Sequence, residues 1–443
     1  MTTQPFSLYV HIPFCTAKCT YCDFNSYAGQ DSLMTPYAEA AAREAALWSP
    51  HLAGRQVETV FFGGGTPSLL PLAEMRVIVE AMRANFDTPT DVEFSLEANP
   101  GTVDAAHLQG LRSLGFNRIS FGVQSFHEEE LRRLERIHDA QEVEDAYRWA
   151  REAGFANVNL DLIYGLAGQT MEAWQTNLET ALALGSDHLS LYALTLEEGT
   201  PLTRDVDRGR SAGPDLDLQA DMFEWTRDRM TAAGFAHYEV SNWARPGREC
   251  RHNLVYWHNG DWLGLGAGAH SHLFDNRFAA AASPSRYIAL VQEASSNPPL
   301  RGPSAEGPWQ PLTPRSSPSP RIAAEVLPAH PEALEGPAPA PNPDHSSSIF
   351  DSFRQVTFRE PADRLREMSE TVILALRLRE GLDLAGFEAR FGARVADAFA
   401  APLRETLDLG LTELVDGRLR LRDEAVLLGD EAFLRFLPDY DPA

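Results

Sequence analysis

The chain has 443 residues, a formal net charge of −25 at pH 7 and 44% hydrophobic residues. This length favours two domains with connecting segments over a single core. The negative charge is spread along the chain and argues against nucleic acid as a partner, because a phosphate backbone would be repelled. No stretch approaches the roughly 20 apolar residues of a membrane helix. The opening MTTQPF lacks a signal-peptide pattern, so a cytoplasmic location is expected.

Strand-like and helix-like patterns alternate over the first half of the chain. Apolar, β-rich runs occur at 7–12, 57–64, 92–98, 117–123, 157–165 and 188–195. Helix-period segments occur at 36–48, 72–86, 104–115, 128–154, 171–185 and 216–234. Strands that alternate with helices pair in parallel through right-handed crossovers. Six such units are too few for a closed eight-stranded barrel, so the pattern predicts an α/β fold with an open, partial (β/α)6 barrel. Functional residues are expected at the C-terminal ends of its strands.

Three cysteines follow the first predicted strand. Cys15, Cys19 and Cys22 lie in HIPFCTAKCTYCDF with the spacing C-x3-C-x2-C. Three thiolates on one short loop can bind three irons of a [4Fe–4S] cluster and leave the fourth iron for S-adenosylmethionine (SAM). This spacing is typical of the radical SAM superfamily. A structural zinc site would need a fourth ligand, usually from a second cysteine pair, and Cys250 stands alone far downstream.

Glycines and polar residues stand where the predicted strands end. GGGTPS (63–68) directly follows the second strand, and its glycines let backbone N–H and C=O groups approach the amino and carboxylate groups of SAM. Glu97, Gln124 and Asp161 end three further strands, and Arg136 falls on the long predicted helix. Each residue alone is as compatible with a core hydrogen bond or a surface charge as with contact to a ligand. Together at one rim they favour a ligand site.

Six motifs carry a family resemblance: YVHIPFCTAKCTYCDF, FFGGGTPS, SLEANP, ISFGVQSF, RIHD and DLIYGL. In this order and spacing they resemble the family of oxygen-independent coproporphyrinogen III oxidase and its haem-chaperone relatives. The resemblance implies a radical SAM core over roughly 7–290 and a family-like C-terminal part around 360–440. It also implies SAM-contacting positions at Tyr9, Tyr21, Gly64, Gly65, Thr66, Glu97, Gln124, Arg136 and Asp161.

Two features indicate the haem-chaperone branch of this family. The oxidase has a fourth cysteine two residues after the third, and this chain has Phe24 there. Residues 252–257, HNLVYW, match the H-N-x-x-Y-W motif of the chaperone branch. The resemblance therefore implies haem contacts from His252, Asn253, Tyr256 and Trp257.

The residue types alone leave the iron ligand open. An imidazole beside aromatic rings can hold an iron porphyrin. A hydrogen-bonded core histidine is the ordinary alternative. Other candidate iron ligands near the motif are Cys250, His258, His270 and His272.

The remaining chain divides at changes in composition. The radical SAM core is expected over 1–245, and the HNLVYW motif with a barrel-closing segment over 246–298. Residues 299–355 are rich in proline and serine and predict a disordered linker. Residues 356–443 combine amphipathic helices with a hairpin that turns at Asp416 and Gly417, which suggests a small winged-helix-like domain. The resemblance implies that this domain caps the barrel.

The sequence thus predicts a haem chaperone that carries a [4Fe–4S] cluster and SAM, binds haem and passes it to acceptor haemoproteins. Catalytic activity is left open. The alternative is the oxygen-independent coproporphyrinogen III oxidase of porphyrin biosynthesis, which removes hydrogen from propionate side chains by a 5′-deoxyadenosyl radical. A radical SAM enzyme with an unrelated substrate is a third hypothesis, because fold and cofactor do not fix the substrate. A homodimer is compatible with each of these hypotheses.

Overall fold

The computed structural model describes residues 4–296, 350, 353–360 and 362–438. Its strands are β1 (Phe6–Ile12), β2 (Phe14–Cys15), β3 (Tyr27–Ala28), β4 (Val57–Gly64), β5 (Glu93–Ala98), β6 (Arg118–Gln124), β7 (Asn157–Tyr164), β8 (His188–Ala193), β9 (Ala236–Glu239), β10 (Asn242–Ala244), β11 (Trp262–Leu265), β12 (His270–Leu273), β13 (Asn276–Ala280), β14 (Val356–Glu360), β15 (Leu382–Asp383), β16 (Thr412–Val415) and β17 (Arg418–Leu421).

Its α-helices are α1 (Met34–Trp48), α2 (Leu72–Asn85), α3 (Ala105–Ser113), α4 (Glu128–Arg133), α5 (Ala140–Ala153), α6 (Met171–Leu184), α7 (Pro201–Asp207), α8 (Leu216–Ala232), α9 (Arg251–Trp257), α10 (Pro284–Ser296), α11 (Arg364–Leu376), α12 (Leu384–Phe391), α13 (Val395–Ala398), α14 (Ala400–Asp408) and α15 (Gly429–Arg435). Short 3₁₀ helices span Asp31–Leu33, Ser49–His51, Pro67–Leu69, Pro100–Thr102 and Asp423–Leu428. Within the described ranges, no helix has the length and apolar character needed to cross a bilayer.

Twelve strands form one sheet in the order β14-β13-β12-β11-β1-β4-β5-β6-β7-β8-β10-β9. At its centre β1, β4, β5, β6, β7 and β8 pair in parallel, each with the next. Helices connect these strands, as parallel pairing requires. This arrangement confirms the predicted α/β fold with a six-unit partial barrel. The sheet also extends further, since β11 pairs in parallel with β1 and β10 pairs antiparallel with β8.

The inner faces of the central strands carry small polar residues that hydrogen-bond between strands. Thr59 Oγ1 donates to Ser7 Oγ at 2.7 Å. Asn159 Nδ2 donates to Ser120 Oγ at 2.6 Å and to Ser190 Oγ at 3.0 Å. The outer faces are apolar and form one core with the surrounding helices. The strands are therefore buried on both faces, with a polar barrel interior whose groups are largely satisfied.

The predicted long helix over 128–154 is two helices, α4 and α5. Glu135 has a φ of 53°, a left-handed conformation that a continuing α-helix does not allow. Asp139 then begins α5 in a reciprocal capping box with Glu142. Arg136 consequently lies in the connection between the two helices, and the prediction that it lies on a helix is wrong.

The C-terminal helices surround a core of their own, which runs from Met368 to Phe436. A small sheet in the order β15-β17-β16 packs beside them. Asp416 and Gly417 form the predicted hairpin turn, with φ values of 50° and 76°. This confirms the small domain of helices and a hairpin. The Val240 N–H donates to the Arg377 carbonyl at 3.1 Å, so this domain is hydrogen-bonded to the barrel.

The predicted linker over 299–355 lies mostly outside the described residues. Its last residues are described, and they pack on the barrel: Phe353 stacks on Trp48 with ring centroids 3.7 Å apart, and Phe350 contacts the same indole at 6.2 Å. β14 then pairs with β13 in the main sheet. Residues on both sides of the segment 297–349 therefore belong to the barrel. The C-terminal helices begin only at Arg364.

Glu44 on α1 is hydrogen-bonded to residues on both sides of the segment 297–349. Its carboxylate is 1% exposed and accepts hydrogen bonds from the Gly266 N–H at 2.9 Å and the Tyr287 hydroxyl at 2.6 Å. A third hydrogen bond comes from the Gln355 amide at 3.2 Å. Burial raises the pKa of Glu44 to about 7, and the hydrogen bonds limit this rise.

We expect Glu44 to make the free energy of unfolding depend on pH. A carboxyl with a pKa of about 7 in the fold and 4.5 in the unfolded chain holds its proton more strongly when folded. Its stabilisation is thus fully present below about pH 4.5 and is lost as the pH rises through about 7. The difference in pKa corresponds to about 3 kcal/mol. Urea denaturation of wild type and Glu44→Gln, which cannot ionise, measures this contribution. Relative to wild type the variant should gain stability as the pH rises, and a constant difference would contradict the prediction.

Candidate functional site

A cavity of about 370 Å³ opens at the C-terminal ends of the parallel strands and reaches down into the barrel. Its walls come from the cysteine loop, the central strands, α9 and the C-terminal domain. The structure brings most of the sequence-predicted site residues together on this wall: Cys15, Cys19, Tyr21, Cys22, Gly64, Gly65, Thr66, Glu97, Gln124, Arg136, Asp161, Asn253 and Trp257. Tyr9, His252 and Tyr256 do not line it among the residues that the structure describes.

The three cysteines occupy a loop that is closed by the pairing of β2 with β3. All three thiols are partly exposed. Lys18 Nζ donates to the Phe24 carbonyl at 2.9 Å across the loop. Burial raises the pKa of Cys15, and it raises the pKa of Cys22 to about 12. These thiols would therefore release protons when iron binds.

The donor set of this loop fits a cubane cluster. In the described part of the chain, no three His, Cys, Asp or Glu side chains are grouped closely enough to hold one metal ion. A cubane makes a different demand, because its three ligated irons each take one thiolate. Three thiols spread along one loop at the cavity wall meet that demand, with Cys19 within 3.6 Å of the Arg136 guanidinium.

The glycine turn after β4 packs tightly under the cysteine loop. Gly64 has a φ of 110°, and a Cβ on Gly65 would lie 2.7 Å from the Phe14 carbonyl oxygen. The three N–H groups of the turn already have acceptors. Gly65 donates to Ile12 at 2.9 Å, Thr66 donates to Phe14 at 2.8 Å, and Gly64 donates to the Glu97 carboxylate at 3.1 Å. The expectation that these N–H groups pair with SAM thus does not match the structure, and only carbonyls of the turn are left for a ligand ammonium.

Two neighbouring carboxylates give the cavity its acidic side. Asp161 accepts hydrogen bonds from Ser120 Oγ at 3.0 Å and from Asn159 Nδ2 at 2.7 Å. Burial, with a smaller effect of the Glu97 charge, raises the pKa of Asp161 to about 6. A cationic group of a ligand placed here would favour the ionised form.

Arg136 lines the same cavity next to the cysteine loop. One amino group of its guanidinium donates to the Gly122 carbonyl at 2.6 Å and to Asn99 Oδ1. The other lies near Cys19, and Nε has no hydrogen-bond partner among the described residues. Gln124 ends β6 with a φ of 68°. This left-handed backbone conformation is strained for a residue other than glycine, and such strain is frequent at functional sites.

The HNLVYW motif forms α9 and presents two faces. Asn253 and Trp257, one turn apart, line the cavity. His252 and Tyr256 point into the closed end of the barrel and are 0% and 2% exposed. His252 Nδ1 is 2.7 Å from Thr59 Oγ1, and its Nε2 is 2.8 Å from the Tyr256 hydroxyl. Both ring nitrogens are therefore hydrogen-bonded, and iron ligation would require one of these bonds to break.

Tyr9 supports this buried group from the side. Its hydroxyl is 2.9 Å from His11 Nδ1, and its ring stacks on Phe61 at 6.4 Å and on His252 at 6.5 Å. It lies behind the cavity wall, which Phe61 lines. In this structure Tyr9 therefore packs against the wall from behind and does not line the cavity.

The alternative iron ligands differ in position. Cys250 lines the cavity, and burial raises its pKa to about 12. His272 is buried, with Nδ1 2.9 Å from the Gly260 carbonyl and Nε2 3.2 Å from Glu367. His258 and His270 also lie away from the cavity wall in the described part of the chain.

The cavity contains charged residues that sequence reasoning missed. Arg118 opens β6, Glu239 ends β9 and Arg377 follows α11, and all three line the wall. Arg118 was visible in the sequence as a charge at the start of an apolar strand, NRISFGV. Arg377 carried no such signal, because only the docking of the C-terminal domain brings it to the barrel.

Comparison with known proteins places the chain among radical SAM proteins. The Radical SAM superfamily model matches residues 9–181, and the HemN C-terminal domain model matches residues 362–428. The Heme chaperone HemW of Escherichia coli is 43% identical over 267 residues, which is 60% of this chain and 70% of that protein. The Heme chaperone HemW of Bacillus subtilis is 30% identical over 432 residues, which is 97% of this chain and 99% of that protein.

A solved structure gives the same placement. Coproporphyrinogen III oxidase (HemN) from Escherichia coli, a radical SAM enzyme, superposes with a TM-score of 0.75 at 25% identity. The match covers 98% of this chain and 90% of that chain. Membership of the radical SAM superfamily implies a [4Fe–4S] cluster and SAM.

We expect the cluster to depend on the loop cysteines alone. Replacement of Cys15, Cys19 or Cys22 by alanine should abolish the charge-transfer absorbance and the bound iron and sulfide of anaerobically reconstituted protein. Cys250→Ala is the matched control, because Cys250 lines the same cavity but lies outside the loop, with Sγ 3.8 Å from Glu93. Loss of iron and sulfide in that variant would contradict the assignment.

Proposed function

Since the chain belongs to the Heme chaperone HemW family of radical SAM proteins, we propose that it binds haem and passes it to acceptor haemoproteins. Cys15, Cys19 and Cys22 hold a [4Fe–4S] cluster in this proposal. Three cysteine ligands would leave one iron of such a cluster open for SAM. The role of the cluster is to influence haem transfer or assembly, and no decarboxylation is required.

The single cavity shared by two motifs is the observation that carries this proposal. The cysteine loop forms one end of its wall, and Asn253 and Trp257 of the HNLVYW motif form another part. Apolar side chains also line the cavity, among them Ile163, Leu194 and Phe433. A flat, mostly apolar ligand could therefore bind in the same space as the cluster loop.

The SAM side of the cavity uses the chain's own groups in different ways. The carbonyls of Gly64 and Gly65 suit an ammonium group, since the N–H groups of the turn are taken. Glu97 and Asp161 supply negative charge nearby. The Arg136 guanidinium offers an unpartnered Nε–H, which suits a carboxylate. Tyr21, Thr66 and Gln124 complete this part of the wall.

For haem we propose direct contact by Asn253 and Trp257 and a supporting role for His252 and Tyr256. The first pair lines the cavity, whereas the second pair is hydrogen-bonded in the closed end of the barrel. The second pair stabilises α9 against β4, through the hydrogen bond between His252 and Thr59.

The oxidase is the second candidate, because the chain superposes on coproporphyrinogen III oxidase over nearly its full length. Phe24 speaks against it, since this residue lines the cavity where the oxidase has a fourth cysteine in the motif. The two candidates predict different products from the same reconstituted protein.

We expect reconstituted protein to bind haemin and to leave coproporphyrinogen III unchanged. The test is anaerobic incubation with SAM, a reductant and coproporphyrinogen III, followed by product analysis, with a parallel haemin titration followed by the Soret band. The Cys15→Ala protein serves as the control for cluster-dependent chemistry. If wild type formed the decarboxylated product and the Cys15→Ala protein did not, the result would favour the oxidase and contradict the chaperone proposal.

We expect the two faces of α9 to separate haem binding from stability. Asn253→Ala should weaken haemin binding about fivefold, the effect of about 1 kcal/mol of lost hydrogen bonding, with little change in melting temperature. His252→Ala should chiefly lower the melting temperature, because it leaves the Thr59 and Tyr256 hydroxyls without their buried partner.

Tyr256→Phe completes this comparison, because it removes the hydroxyl from His252 Nε2 and keeps the aromatic ring. Iron ligation by His252 would appear as a changed Soret band and at least about tenfold weaker haemin binding in folded His252→Ala, with unchanged or tighter binding in Tyr256→Phe. That result would identify His252 as an iron ligand and contradict the supporting role proposed for it.

A further inference from the structure

Two buried guanidinium groups in the cavity lack the partners that buried charges need. Arg118 and Arg377 are each 3% exposed and both line the cavity. Neither guanidinium makes a hydrogen bond or an ion pair in the described part of the chain, and Nε of each has no partner there. Arg55, buried to a similar degree elsewhere, is paired with Asp261 at 2.6 Å. A buried guanidinium whose N–H groups make no hydrogen bond is costly, so an anionic ligand that accepts these bonds would be stabilised in the cavity.

Arg377 is held in position by aromatic rings. Its guanidinium carbon lies 4.6 Å from the Trp257 ring centroid and 6.0 Å from that of Phe433. Trp257 Nε1 also has no hydrogen-bond partner among the described residues. Glu239 and Asp430 are the acidic groups that act on Arg377, and neither is within ion-pair distance. The stacked pair thus presents hydrogen-bond donors that are available to a ligand in the cavity.

Arg118 lies deeper in the barrel, on the inner face of β6, opposite Ser95 of β5. Ser95 Oγ is likewise without a partner. Glu93 is a nearby carboxylate, but it accepts the N–H groups of Arg251 and His252, both at 3.0 Å. Asp161, Cys250 and Tyr238 also face Arg118 without pairing to it.

We propose that Arg118 and Arg377 bind the two propionate carboxylates of the haem, an inference that rests on the proposed function. A guanidinium fork matches a carboxylate with two parallel hydrogen bonds. Haem is a flat, apolar molecule with two carboxylates on one edge. The cavity offers apolar side chains for its faces and two unpaired guanidinium groups for its carboxylates. Arg377 then links haem binding to the C-terminal domain, and Trp257 of the HNLVYW motif, besides contacting haem, holds Arg377 in position.

The test compares haemin with haemin dimethyl ester, in which both carboxylates are capped. Wild type should bind haemin at least about a hundredfold more tightly than the ester, about tenfold for each charge-assisted contact. Arg118→Gln and Arg377→Gln should each reduce this preference about tenfold, and the double variant should abolish it. Arg377→Lys should retain part of it. A ratio of affinities within one protein is insensitive to partial loss of stability.

Arg277→Gln is the matched control. Its guanidinium also lies over a tryptophan, 5.4 Å from the Trp262 ring centroid, but it is paired with Glu370 at 2.7 Å and lies outside the cavity. This variant should keep the full preference for haemin. SAM binding is measured in parallel for every variant.

The outcomes separate the two levels of the proposal. Equal, tight binding of haemin and its ester by wild type would overturn the propionate assignment and leave the haem function standing. Failure of wild type to bind either compound would overturn the haem function, and the assignment with it. Weaker SAM binding with an unchanged haemin preference would assign the guanidinium to the SAM carboxylate and overturn the assignment.

Discussion

The site depends on two backbone hydrogen bonds between neighbouring strand ends. Gly65 and Thr66, just after β4, donate to Ile12 at 2.9 Å and to Phe14 at 2.8 Å, at the end of β1 and in β2. They fix the entry of the cysteine loop onto the rim of the barrel. A side chain at residue 65 would collide with the Phe14 carbonyl, so the close approach needs glycine. The direction in which the loop presents its thiols follows from this contact.

The fold was largely predictable because hydrophobic periodicity reports local burial. Each of the six central strands was recognised within a few residues, since strands buried on both faces read as apolar runs. The additional strands from β9 to β14 were harder to predict, because they are short and their pairing depends on contacts between distant segments. The break between α4 and α5 was missed, since a single left-handed residue, Glu135, leaves no mark in the periodicity.

The candidate site was predictable where residue type and strand position coincide. Glu97 and Asp161 meet at the cavity because the carboxyl ends of parallel strands share one edge. The role of the glycine N–H groups was not predictable, since their acceptors Ile12 and Phe14 lie on another strand. Which residues of HNLVYW line the cavity could not be predicted, because this depends on how α9 packs against the barrel. The sequence left open whether His252 binds iron or forms hydrogen bonds in the core, and in the structure both of its ring nitrogens are hydrogen-bonded.

The packing around Trp48 has a consequence for how the chain can be divided. Phe353 stacks on this indole, Gln355 donates a hydrogen bond to Glu44, and β14 pairs with β13. Residues after 349 therefore complete the barrel that residues up to 296 form in large part. These contacts are complementary surfaces that do not require a peptide connection. Two separate polypeptides, 1–296 and 350–443, therefore contain the surfaces needed to reassemble by fragment complementation. The stacked aromatic pair, the buried carboxylate and the strand edge would contribute to the affinity between them, together with contacts of the C-terminal domain such as the Arg277–Glu370 ion pair.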